Sequence, residues 1–138
     1  LLRPSVIHTC SLVVLLASLL TACQGCGDGL PRRVPISGTV LLDGEPLSMG
    51  SVSFTPEGMR PSSSKIDAEG RFDLQFMDGG KGAVLGLHRI RVAAFDSSSG
   101  RRVSLVPKRY TDFRTSGLTF EVSEPDDTVV LELSSGGA

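Results

Sequence analysis

The chain has no Trp, a single Tyr (Tyr110), two His and three Cys. Without Trp, and with Tyr110 as the only phenol, it lacks the amphipathic ring platforms that large stacking surfaces are built from. With only His8 and His88, a metal site built on several imidazoles is excluded within one chain. Cys10, Cys23 and Cys26 all lie in the first 26 positions, so no disulfide can staple the rest, and cysteine usage does not reveal the redox compartment. An excess of one charge is also missing. Fourteen Lys and Arg stand against 15 Asp and Glu, a net charge of −1, which gives neither the basic field that nucleic acid requires nor a strong acidic one. No long apolar run is present: the densest stretch, 11–20, is half of the roughly 20 residues that a spanning helix needs. What is plentiful is Gly (16) and Pro (8), the composition of many turns between short strands, in a chain of one domain's length.

Residues 1–23 read LLRPSVIHTCSLVVLLASLLTAC. Arg3, an apolar run from Ser11 to Leu20, then small Thr21 and Ala22 follow the charged, hydrophobic and cleavage-site order of a secretory signal. Position 1 is Leu rather than Met, which fits an alternative or displaced start codon. The segment Leu20-Thr21-Ala22-Cys23 resembles a bacterial lipobox. Small side chains before the cut admit the backbone to a protease cleft, and the Cys23 thiol is the nucleophile that takes up a diacylglyceryl group. An ordinary signal cut would want a small residue where Leu20 stands. The expectation is a signal peptide over 1–22, cleavage between Ala22 and Cys23, and membrane anchoring through acyl chains on Cys23, several of which hold stably where one would not. Cys23-x-x-Cys26 has the spacing of a redox or metal pair, but a thioether at Cys23 offers no thiolate, and no second pair or nearby His completes a site. Residues 23–34 are read as the lipidated Cys and a Gly-rich tether, and Gln24 after the anchor favours the outer membrane under one bacterial sorting convention.

From Ile36 on, the hydrophobic period is 2. Ile36, Val40 and Leu42 alternate with Ser37, Thr39 and Leu41, and Asp43-Gly44 turns the chain. Val52 and Phe54 mark a second strand ended by Pro56, followed by a polar loop over 57–63. Residues 64–66 and 71–76 read as a hairpin about Asp67-Ala68-Glu69-Gly70, with Phe72, Leu74 and Phe76 on one face and Gly70 at a positive φ. Gly86–Phe95 reads as the next strand, with His88, Ile90, Val92 and Ala94 alternating with Leu87, Arg89, Arg91 and Ala93. Residues 103–117 read as irregular, 118–122 as a strand, 124–127 as a turn and 129–133 as the last strand, with a frayed tail beyond. About seven short strands at regular turn spacing, and no helical period, predict an all-β sandwich over 35–134 with 135–138 as tail.

The segments Val34–Leu47 (VPISGTVLLDGEPL), Ile66–Phe72 (IDAEGRF) and Gly86–Val92 (GLHRIRV) resemble, in that order, the transthyretin-like, carboxypeptidase-regulatory-like domain family, whose pattern runs V-x-G-x-V-x-x-D-G-x-P-L, T-D-x-x-G-x-F, G-x-Y-x-V-x-V. Val106–Tyr110 and Thr115–Phe120 are similar to the small bacterial lipoproteins of that family. The resemblance covers about residues 34–133. It implies a seven-stranded prealbumin-like (Ig-like) β-sandwich serving as an accessory, spacing or binding module, and it implies no reaction. Glu69 stands where the family often has Asp, Asn or Gly. His88 stands where it often has Tyr, which puts a polar ring at a half-buried position near the sandwich edge. The purine-breakdown hydrolases that share the fold use several His and a Tyr-Arg-Gly-Ser signature, neither of which occurs here.

Candidate chemistry is thin. A Ser-His-Asp triad would rest on His88, a strand residue without a nucleophile-elbow pattern, so His88 is read as structural. Asp43-Gly44-Glu45, Asp67-x-Glu69-Gly70 and Asp126-Asp127 have too few carboxylates in series for calcium and read as turns. Gly79-Gly80-Lys81-Gly82 lacks phosphate-loop spacing, and the serines at 62–64 and 97–99 read as loops. One charge cluster stands out, Arg89, Arg91, Arg101, Arg102, Lys108, Arg109 and Arg114. It reads first as a solvated face and charge-protected edge, and Arg89, Arg91, Arg101 and Arg102 are within it a candidate binding patch for an anionic polysaccharide, lipid headgroups or an acidic protein. The sequence thus predicts no catalytic residue, cofactor or metal, and no nucleic-acid partner. It predicts a non-catalytic, membrane-tethered envelope lipoprotein that interacts with an envelope protein or polysaccharide; the alternative is a carbohydrate-binding module.

Overall fold

Period-2 patterning becomes strand almost wherever it occurs. The structure, a computed structural model, describes residues 31–136. In chain order the strands are β1 (Arg33–Val34), β2 (Ile36–Leu42), β3 (Glu45–Pro46), β4 (Ser51–Pro56), β5 (Ser62–Lys65), β6 (Arg71–Asp73), β7 (Ala83–Val84), β8 (Gly86–Ala93), β9 (Phe95–Asp96), β10 (Val103–Ser104), β11 (Leu118–Val122) and β12 (Asp126–Leu133), with one 3-10 turn at Lys108–Thr111. The described chain is all-β and sandwich-like. One sheet is antiparallel in the order β11-β8-β4-β5. In the other, β2 runs parallel to β12 on one side and antiparallel to β3 and β6 on the other. The pairs β1–β7 and β9–β10 stand apart.

The inward positions fill one core. Ile36 and Val40 from β2, Val52 and Phe54 from β4, His88, Ile90 and Val92 from β8, and Val129, Leu131 and Leu133 from β12 are all buried. The Phe54 ring packs against those of Phe72, His88 and Phe120 at 5.8–6.1 Å between centroids. Asp43 (φ 52°) and Gly44 (φ 85°) both take left-handed backbone, the two-residue turn whose twist matches the flanking strands, and it sets Leu42 opposite Glu45. Gly38 has a different reason. A Cβ there would lie 1.9 Å from the Val129 carbonyl oxygen, so only Gly lets β12 lie against β2.

Several expectations are corrected. The serines at 62–64 form β5, paired with β4, because a polar sequence extends readily when a neighbouring strand takes its backbone hydrogen bonds. The expected hairpin divides between sheets. β5 joins β4 and β6 joins β2, and the arms touch through the Ser63–Gln75 bridge and the Asp73 N–H donating to Ser64 Oγ at 3.0 Å. The turn between them is ordered as expected. Asp67 Oδ1 accepts from the N–H groups of Glu69 and Arg71, with Gly70 at φ 80°. β structure begins before residue 35: Arg33–Val34 pairs with Ala83–Val84, and Val34 is buried. The strand expected to run to Phe95 is interrupted at Ala94, whose carbonyl accepts from Leu105 N–H. The irregular stretch 103–117 carries β10 and the 3-10 turn, and brings Val106 and Tyr110 into the core. Asp126 and Asp127 begin β12 rather than a turn, although Asp126 Oδ1 caps Thr128 N–H and the register shifts before Val129. The start of the expected tail is tied down: Ser134 N–H donates to Tyr110 Oη, and Ser135 bonds to Asp43 through both its N–H and its hydroxyl.

Candidate functional site

Ala22, Cys23 and Cys26 lie outside the described residues. The candidate arginines lie within them. Arg89 and Arg91 are exposed on the outward face of β8, as alternation required. Their register neighbours are hydroxylated, with Arg89 between Thr55 and Thr119, and Arg91 opposite Ser53, which in turn is opposite Ser63. Ser53 Oγ donates to Ser63 Oγ at 3.3 Å. Arg101 and Arg102 lie beyond the far end of the same strand, where the Arg102 guanidinium sits 3.9 Å from the centre of the Phe95 ring. The arginines thus fall in two places along the body, one on a flat hydroxyl-bearing face and one on an aromatic ring.

Where the two sheets meet, β2, β5 and β6 border an open groove of about 940 Å³, with Ser37, Thr39, Ser63, Ser64, Arg71 and Asp73 among its lining. Lys81 approaches Asp73 at 3.6 Å on its rim. The groove offers donors and acceptors for a polar ligand but no imidazole to move protons. A smaller hollow of about 310 Å³ lies at the start of β8, where Pro56, Met59, Leu87 and Phe113 surround Arg89.

His88 is corrected from the half-buried edge position expected of it. β8 is an inner strand of its sheet, and His88 is 0 % exposed. Its Nε2 lies 2.8 Å from the Val84 carbonyl, which makes that nitrogen the donor and leaves Nδ1 an acceptor. Nδ1 is buried without a hydrogen-bond partner. The ring is enclosed in the core, 6.1 Å from that of Phe54 between centroids.

The turn carboxylates are engaged within the fold. The Ser135 hydroxyl, then its N–H, hold Asp43 below the ordinary carboxylate range. The N–H of Thr128 does the same for Asp126, and the Arg33 guanidinium does so for Asp78, bonded at 2.8 Å. Among the described residues no three His, Cys, Asp or Glu gather closely enough to hold a metal ion.

One cluster escaped the sequence reading. Burial pushes the Tyr110 phenol up, but the Ser134 N–H and the Arg109 guanidinium both donate to its oxygen and hold it below its ordinary value overall. Arg109 also donates to the Ser134 carbonyl at 3.1 Å and lies over the Tyr110 ring. The signal available was the chain's sole Tyr beside two cations in a stretch without strand period. Together with the Asp43–Ser135 contact, this cluster fastens the end of β12 to the first hairpin turn. It reads as a clasp rather than a reactive site, because the phenol is 5 % exposed and both donors belong to the fold. No family model, curated protein or solved structure matches the chain.

Proposed function

We propose that this chain is a lipid-anchored protein of the cell envelope, most readily the outer membrane, whose body is a prealbumin-like sandwich acting as a non-catalytic accessory or protein-interaction module. The observation that carries the reading is the order Arg3, apolar run, Leu20-Thr21-Ala22-Cys23, placed eight positions before Pro31, where the compact β unit begins. The absence of a catalytic role is supported by the enclosure of His88 and by the engagement of Asp43, Asp78 and Asp126 within the fold. The prealbumin-like reading is supported by the Asp43-Gly44 turn and by the need for Gly38, three positions of the V-x-G-x-V-x-x-D-G pattern with a physical reason in this body.

Expression of the full chain in a bacterium with lipoprotein processing, with a clickable palmitate analogue, tests the proposal. The mature protein is expected to begin at Cys23, carry acyl chains by mass spectrometry and partition into detergent, and C23A is expected to lose all three properties. A mature form with a free thiol at Cys23 overturns it. The hydroxyl-lined groove favours a second reading, a carbohydrate-binding module. Strong selective binding on a glycan array, lost on R71A, would place that reading first.

A further inference from the structure

Seven large apolar side chains are exposed among the described residues: Met49, Met59, Met77, Leu85, Leu87, Val103 and Val130. Four of them gather where the chain enters the body. Met59 and Leu87 line the same hollow with Arg89. Arg60, next to Met59, reaches Met77 Sδ at 3.6 Å. The Met77 turn is held to β1, since Arg33 bonds Asp78 and lies over Phe76. β1 leads back to the start of β8, because Leu85 N–H donates to the Arg32 carbonyl at 3.2 Å. These links set Met59, Met77, Leu85 and Leu87 at the end of the body that holds Pro31–Val34. Met77 and Leu87 are 66 % and 62 % exposed, values that a monomer in water does not readily tolerate in one place.

Three arginines stand at this end. Arg32 and Arg89 have no hydrogen bond or ion pair from their side chains among the described residues, and Arg60 bonds only the Met77 sulfur. Glu57 and Glu121 stand on the same rim, so net charge alone does not select a partner. Apolar side chains beside guanidinium groups match the boundary of a bilayer, where the former enter the acyl edge and the latter stay with phosphate. The chain between Cys23 and Pro31 spans at most about 28 Å when extended, so an anchor at Cys23 keeps this end of the body close to the lipid.

We propose that this end rests on the bilayer surface, with Met59, Met77, Leu85 and Leu87 in the interfacial layer and Arg32, Arg60 and Arg89 on lipid phosphates. The inference depends on the anchoring reading above and adds an orientation to it. The opposite end, with the Ser97–Gly100 turn and the hydroxyl-lined groove on the flank, is then left facing away from the lipid.

The test uses the full, processed chain in vesicles of phosphatidylethanolamine and phosphatidylglycerol, carrying C26S and a fluorophore at either M59C or S98C. Vesicles containing a headgroup-depth spin-labelled lipid are expected to quench the label at 59 several-fold more than the label at 98. Adding L87S and M77S, both at exposed positions, is expected to abolish that difference while leaving the urea midpoint unchanged. Protein that floats with the vesicles but is quenched equally at 59 and 98 overturns the orientation and leaves the anchor intact. A difference that survives L87S and M77S assigns the proximity to the tether and equally overturns the proposal. Protein that does not float at all overturns the anchor first, and the orientation with it.

Discussion

Replacing Gly38 by Ala sets a methyl group against the strand that closes the second sheet. The new Cβ would lie 1.9 Å from the Val129 oxygen, 2.7 Å from the Val129 carbonyl carbon and 2.9 Å from its Cβ. A comfortable carbon–oxygen contact is about 3.3 Å, so β12 must retreat by more than 1 Å or β2 must buckle. Two costs follow. Overpacking of this kind costs about 1–3 kcal/mol. A retreat of that size also stretches the neighbouring ladder bonds past their useful range, at about 1 kcal/mol for each of one or two bonds. The expected loss is therefore about 2–5 kcal/mol, a large part of the roughly 5–15 kcal/mol that holds a domain together. In urea, with a slope of about 2 kcal/mol/M, the midpoint falls by about 1–2.5 M. Gly44→Ala is the matched control, because nothing lies within 4 Å of its Cβ and only the left-handed φ of 85° is strained, at about 1–2 kcal/mol. If Gly38→Ala and Gly44→Ala unfold at the same midpoint, β12 does not lie against β2 at this point and the parallel pairing is refuted.

Three further outcomes are expected. His88→Ala empties a ring-sized site in the core and should cost about 3 kcal/mol or more, whereas His88→Phe keeps the ring, strips only the Val84 carbonyl of its donor and costs about 1 kcal/mol; equal melting temperatures for the two would contradict the enclosed position. Asp43 is held below its ordinary range by the Ser135 hydroxyl and then the Ser135 N–H, so its contribution to stability is present above the unfolded carboxylate pKa and is lost as pH falls through the folded one. Ser135→Ala should move the Asp43 carboxyl titration upward by NMR and flatten the acid limb of the stability profile, and an unmoved titration would remove Ser135 as the cause. The Ser116 hydroxyl donates to the Ile90 carbonyl and accepts from Leu118 N–H at the start of β11, so Ser116→Ala should cost about 1–3 kcal/mol, with amide exchange rising first at Leu118.

The elements that could be read in advance are those where one face is dry. His88, Ile90, Val92 and Ala94 alternate with Leu87, Arg89, Arg91 and Ala93 because β8 is an inner strand with only one side toward the core, and the same reasoning holds for Val129, Leu131 and Leu133. The Ser62–Lys65 strand carries no such contrast. Its conformation follows from β4, a partner whose position no local pattern encodes. The outward positions of Arg89 and Arg91 were legible from the alternation alone. By contrast, the group of Met59, Met77, Leu85 and Leu87 joins two loops and a strand start that only the fold brings together, and each side chain alone is an ordinary exposed residue. The parallel pairing of β12 was hidden for the same reason, as was the clasp at Tyr110, since both join segments far apart along the chain.

The register sets Ile36 beside Asp126 and Leu42 beside Leu133, so the first long strand waits for the last one. A nascent chain that has made β2 has no partner for that edge until Asp126–Leu133 has left the ribosome. Contacts this remote in sequence form slowly. Under the export proposed above, late closure is an advantage, because a body completed only by its last strand stays open while it crosses.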